Sequence, residues 1–199
     1  MRGGDVARER ITDAAGRVFA RYGVEKTTVT DIVREARVGR ATFYKWFGGR
    51  EEVFRAVLEM EISDMLRQVR AAAAAGGDTR TRLLRVLLTY TFLMREKLNL
   101  YRVTLESLVE MMPIGACEGE VRQLVEEFRD LYRGILEDGA RAGEIRVEDA
   151  AATARVLLLV FKGLFIGTVT GEIGEDRERV MKAVVDMVMD GMRPREARA

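Results

Sequence analysis

Histidine is absent from the 199 residues, and cysteine occurs once, at Cys117. Without them no zinc site of the Cys/His kind can be assembled, and no histidine-based triad or acid–base pair. A lone cysteine also excludes an internal disulfide and suits a reducing compartment. Its neighbours Gly115, Ala116 and Glu118 offer no cation to lower the thiol pKa, so oxidant sensing is not expected there. Walker-type and Rossmann-type glycine patterns are missing as well. The expectation is a protein that is not an enzyme and needs no metal or cofactor.

Proline is almost as scarce. Only Pro113 and Pro194 occur, which leaves nearly the whole chain free to be helical. The longest apolar run, Val156 to Val169, is interrupted by Lys162 and reads as too short to cross a bilayer. Met1 to Arg10 is polar and charged, unlike a signal peptide. These features predict a soluble, cytoplasmic protein without a membrane partner.

What is present fits a folded, helix-rich chain: 48% hydrophobic and 33% charged residues. The formal net charge of +1 conceals an asymmetry. Residues 1–50 hold 11 Lys/Arg against 6 Asp/Glu, a balance of +5, while the remainder stands at −4. A basic head on a mildly acidic body suits a DNA-binding domain joined to one that does not bind DNA.

Apolar residues recur at helical spacing at Ile11, Ala14, Ala15, Val18, Phe19 and Tyr22, and Gly23 follows as a left-handed cap. Thr28 then opens a second helix, with Asp31 three residues on in a near capping-box arrangement. Val29, Ile32, Val33 and Ala36 mark its inner face. The break Arg37-Val38-Gly39, plugged by Val38, leads to a third short helix over about 40–47. There Phe43 and Phe47 point inward, while Ala41, Thr42 and Lys45 lie away from them and Arg40 and Tyr44 flank one edge. A short helix carrying such groups outward can reach base edges and phosphates in the major groove.

Here the residues match a family. Gly23, the run Thr27-Thr28-Val29-Thr30-Asp31-Ile32-Val33, then Ala36 through Phe47, and Arg50-Glu51 resemble the N-terminal signature of the TetR family of transcriptional regulators. The resemblance implies a helix-turn-helix that binds double-stranded DNA, with Thr28, Tyr44 and Arg50 on phosphates. Arg40, Ala41, Thr42 and Lys45 would face bases, Gly39 would cap the reading helix, and Trp46 would sit at the margin or simply pack. Two positions depart from the family pattern. Arg37 stands where glycine is usual, and Gly39 where serine or threonine is usual, so Arg37 is expected in a backbone shape that glycine prefers.

Beyond the module (residues 1–49) the pattern predicts a helical domain over 50–199, with helices at about 50–75, 79–96, 98–112, 119–142, 147–170 and 175–191. The fold class is all-α, with about nine helices. The segment Ala150 to Thr170 is apolar nearly all round, and Gly163, Gly167 and Gly171 recur every four residues. Val180, Val184, Met187 and Val188 stripe the last helix. The resemblance implies that these two helices pair with those of a second copy, so Leu159, Gly163, Gly167 and that stripe are the dimerisation candidates. The intervening helices are rich in Met, Tyr and Phe, which suits either ordinary core or an apolar ligand cavity. The candidates for such a cavity are Tyr90, Met94, Tyr101, Leu105, Leu108, Met111, Phe128 and Tyr132.

The expectation is therefore a homodimeric regulator, a repressor released from a two-fold operator by a small, largely apolar effector. A ligand-independent or architectural DNA-binding protein is the alternative. A helical enzyme is disfavoured by the missing catalytic groups.

Overall fold

The structure, a computed structural model, describes residues 3–102 and 120–193. Every regular element among them is an α-helix: α1 (Gly3–Tyr22), α2 (Val29–Ala36), α3 (Arg40–Trp46), α4 (Arg50–Ala74), α5 (Thr79–Tyr101), α6 (Glu120–Arg141), α7 (Ala150–Val169) and α8 (Arg177–Gly191). The chain is all-α, with a helix-turn-helix at the N-terminus and a helical C-terminal part. One boundary is corrected. No break occurs near Asn99, because nothing between Met94 and Tyr101 is a proline or glycine and Asn99 is simply carried on the exposed side of α5. The helix ends instead at Arg102, whose left-handed φ of 52° closes it with an N–H donated to Asn99 O at 3.2 Å. The rest of the expected 98–112 helix lies outside the described residues, as does Cys117.

The chain packs as two units. The first contains α1 to α3, the start of α4 up to Ser63, and the end of α5 from Glu96. Its core is aromatic. Phe19 meets Phe54 edge-on at 5.3 Å, Phe54 meets Tyr101 at 6.3 Å, and Phe43 lies 5.8 Å from Phe47. Ile11, Ala14, Ala15, Ile32, Val33 and Ala36 fill the space around them. Tyr22, expected inward, is exposed, with the Arg21 guanidinium 5.7 Å from its ring. Gly23, at φ 85°, ends α1 with its N–H on Phe19 O at 2.8 Å. A side chain at that φ would be strained.

The second unit holds the end of α4, most of α5, and α6 to α8. Arg82 and Arg85 tie off the C-terminus of α4 by donating to Ala73 O at 3.1 Å, Ala72 O at 3.0 Å and Gly76 O at 2.9 Å. Inside, Tyr132 meets Phe161 at 5.3 Å, and Tyr90 meets Phe128 at 5.3 Å and Phe165 at 5.7 Å, all near right angles. Asp149 caps α7, accepting from Ala152 N at 2.8 Å.

By length and composition α7 could cross a membrane, contrary to the shorter estimate from Val156 to Val169. The difference is the start of the helix, where small residues from Ala150 onward lengthen the apolar stretch to 20 residues. In this fold its inner face, Ala154, Leu157, Phe161, Phe165 and Gly167, is buried within the unit.

Close packing against α6 depends on one missing side chain. A Cβ at Gly139 would overlap the Thr79 hydroxyl and come within 3.3 Å of Ile145. That hydroxyl is fixed: Thr79 donates its N–H and O–H to Glu144 Oε2 at 2.6 and 2.7 Å. Gly139→Ala should therefore destabilise the protein by about 1–3 kcal/mol, read as a lower urea midpoint with an unchanged m-value.

Candidate nucleic-acid interface

The turn that aims α3 begins with a full capping box. Thr28 Oγ1 accepts from Asp31 N at 3.3 Å, and Asp31 Oδ2 accepts from Thr28 N at 3.0 Å and from the Thr28 hydroxyl at 2.6 Å. The hydroxyl, and then the backbone N–H, hold the Asp31 carboxyl below its ordinary value. Ile32, Val33 and Ala36 press α2 onto the core, and Arg10 donates to Ala36 O at 2.9 Å.

The turn closes as a Schellman-type cap. Arg37 adopts φ 51°, ψ 47°, its N–H donates to Arg34 O at 3.2 Å, and Val38 N donates to Val33 O at 3.1 Å. This is the glycine-like shape expected from the departure at Arg37, adopted here by a residue with a Cβ. Gly39 follows in an extended conformation as N-cap of α3 and makes no side-chain cap bond.

Phe43 and Phe47 are buried beneath α3, while Arg40, Ala41, Tyr44 and Lys45 are exposed and Thr42 is half-buried. Tyr44 is 54% exposed although its ring edge touches Phe43 at 5.4 Å. Trp46 is partly buried against the core, and Lys45 Nζ sits 5.6 Å from its ring. Arg40 Nη2 donates to Thr30 Oγ1 at 3.1 Å, which links the start of α3 to the first turn of α2. Arg50, the first residue of α4, donates to Glu25 O at 2.7 Å. Thr30 and the Glu25 carbonyl are positioning groups that sequence reasoning missed. They lie 10 and 25 residues from their partners, beyond the reach of any local pattern.

On the side between α1 and α2 the charges are largely spoken for. Arg17 pairs with Glu35 at 3.0 Å, and this hydrogen bond is the main reason the Glu35 carboxyl is held below its ordinary value. Among the described residues no group of three or more acidic, cysteine or histidine side chains is placed to hold a metal ion.

The candidate ligand residues separate. Tyr90, Phe128 and Tyr132 lie in the aromatic core of the second unit, and Met94 is half-buried there. Burial pushes the Tyr90 phenol up to about 12 and raises that of Tyr132 further. Tyr101 does not join them. It is buried in the core of the first unit, donating its hydroxyl to Glu61, which also pairs with Lys97 at 2.5 Å. Leu105, Leu108 and Met111 lie outside the described residues.

The candidate dimer residues also divide. Leu159 is 68% and Met187 66% exposed, and Gly163 is open, with Val156 and Ile166 exposed along the same helix. Val180, Val184 and Val188 are half-buried. Gly167 departs from the expected open strip: Ile173 of the same chain covers it, with Cγ1 3.1 Å from where a Cβ would stand.

Residues 11–57 match the family described as bacterial regulatory proteins, tetR family. Over the longer chain, the HTH-type transcriptional repressor KstR2 of Rhodococcus jostii is 27% identical across 70% of this chain and 68% of its own. A TetR-family regulator from Pectobacterium atrosepticum superimposes with a TM-score of 0.80 at 17% identity, covering 99% of this chain and 100% of that one. The regulator FadR from Bacillus subtilis, solved in complex with stearoyl-CoA, gives 0.66 at 17% identity over 92% and 98%.

Two outcomes follow for the turn. Arg37→Gly should stabilise the protein by roughly 0.5–1 kcal/mol, and Arg37→Val should destabilise it by about 1 kcal/mol or more, both read by chemical denaturation. Asp31, with its pKa depressed in the fold, supports the cap above its unfolded pKa and loses that support as the pH falls through the folded one. In a carboxyl NMR titration Thr28→Ala should move Asp31 back up toward an ordinary aspartate.

Proposed function

We propose that the chain, whose residues 11–57 match the tetR family, is a transcriptional regulator that works as a homodimeric repressor released from a two-fold operator by a small, largely apolar effector. The observation that carries this reading is the outer surface of α3. Its exposed Arg40, Ala41, Tyr44 and Lys45 stand over two buried phenylalanines, so a short, rigid helix presents donors and one small residue outward. Arg40, Ala41, Thr42 and Lys45 face the bases, and Thr28, Tyr44 and Arg50 hold phosphates, with Gly39 admitting the backbone closely at the start of α3. To donate its hydroxyl to a phosphate, Thr28 must release Asp31.

Dimerisation is supported by the uncovered apolar side of α7 and α8, where Val156, Leu159, Gly163, Ile166 and Met187 face outward. An apolar helix face of this kind calls for a partner. Two reading helices must then sit about 34–36 Å apart to enter successive major grooves. An effector that binds better to another spacing draws the population off DNA, and a shift from 1:99 to 99:1 takes about 5.5 kcal/mol of differential affinity. The action takes place in the cytoplasm, where the DNA is.

The mutual packing of Tyr90, Phe128 and Phe165 favours a second reading, a regulator that binds DNA without any ligand. Thermal-shift measurements with apolar compounds separate the two, since an effector raises the melting point by mass action.

Selection of DNA from a random-sequence library should return a two-fold symmetric consensus. On that DNA, Arg40→Ala and Lys45→Ala should each weaken binding by about 1–3 kcal/mol without changing the melting temperature. Affinity should fall steeply with added salt. Unchanged affinity in both variants at fixed salt removes the assignment of α3. Leu159→Glu should yield the mass of a single chain in light scattering and lose the symmetric DNA; a wild-type monomer at the same concentration would refute the dimer.

A further inference from the structure

The inner stripe of α5 is apolar at first and then turns polar. Leu83, Val86 and Leu87 are fully buried. One turn later come Thr91, only 5% exposed, and half-buried Tyr90, Met94 and Arg95. Thr91 Oγ1 and Arg95 Nε are both shut off from solvent, and neither has a hydrogen-bond partner among the described residues. Four residues apart, they share one face of the helix.

Neither group behaves as its neighbours do. A helical threonine has an acceptor close by, the carbonyl one turn back. Thr12, Thr168 and Thr170 take it, donating to Arg8 O, Leu164 O and Ile166 O at 3.1, 2.8 and 3.1 Å. Thr91 does not. In the same unit Arg70, Arg80, Arg82, Arg129, Arg133 and Arg141 pair with carboxylates and Arg85 donates to backbone carbonyls, whereas Arg95, with its Nε shut in, has neither among the described residues. A buried donor left unbonded lowers stability, so two on one face point to an acceptor that the described residues do not supply.

Tyr90, next to Thr91, is edge-on to both Phe128 and Phe165. A charged donor at the end of a buried apolar helix stripe matches a ligand that is anionic at one end and apolar along its body. We propose that Thr91 and Arg95 hold the head group of an amphipathic anion, a carboxylate or phosphate monoester. This rests on the reading of the C-terminal part as an effector-binding unit and adds the polarity and orientation of the effector.

The test compares dodecanoate, dodecyl phosphate and dodecanol, by thermal shift and calorimetric titration of the full chain. One or both anions should bind at least about tenfold more tightly than the alcohol, the better of the two identifying the head group. Arg95→Met should remove that preference, bringing both anions down to the affinity of dodecanol. Thr91→Val should weaken anion binding yet raise the melting temperature of the ligand-free protein by about 2–4 °C, because it deletes an unbonded hydroxyl. A threonine with a merely structural role would lower it. If Arg95→Met does not fold, Thr91→Val and the wild-type comparison still decide. Equal binding of anions and alcohol, or variants that keep the anion preference, overturns the head-group assignment and leaves the effector reading standing. No stabilisation by any of the three overturns both.

Discussion

A helix of seven residues has no stability of its own in water, and α3 is that short. It exists because Phe43 and Phe47 are driven into a core that α1, α2 and α4 have already built around Phe19 and Phe54. Burying two aromatic rings from one short segment supplies far more than its seven residues could gain by helix formation alone. Everything the module offers to DNA depends on this anchoring. With the inner positions committed to packing, the outer ones are free to vary in chemistry without disturbing the fold. The Arg40–Thr30 bond and the Arg50–Glu25 bond then fix two of the outward cations to neighbouring segments.

This division explains why the module was legible in the sequence. Local rules govern nearly all of it: the apolar period of α1, the Thr28–Asp31 cap, and the glycine-like closure at Arg37 are each decided within about four residues. The left-handed shape at Arg37 was readable only through the family resemblance, in which glycine is usual at that position. What could not be read were partners distant along the chain. Tyr101 was grouped with the pocket candidates because its part of the chain is rich in Met, Tyr and Phe, yet it is drawn into the core around Phe54 and bonded to Glu61. Nothing within several residues of Tyr101 announces Glu61, 40 positions away.

The C-terminal part was less legible for the same reason. Its helices were located by composition, and one break was placed at Asn99 where polar character alone did not suffice to end a helix. The glycines of α7 illustrate the limit further. Their four-residue spacing suggests a common strip, but Ile173 folds back over Gly167 and leaves Gly163 open. Periodicity tells which residues share a face and not what covers it. Thr91 and Arg95 show the converse, since only the surroundings reveal that two ordinary polar residues lack partners that others of their kind possess.

Trp46 is the sole tryptophan of the chain. It lies partly buried at the last turn of α3, with the Lys45 ammonium near its ring. An indole half in contact with aromatic core and half with water emits at a wavelength that depends on that balance. Displacing water from α3, or drawing Lys45 away from the ring, alters both the colour and the quenching of its fluorescence. The protein thus carries an intrinsic optical reporter at the last turn of α3, and changes around that helix can be followed in unlabelled material without competing signal from any other indole.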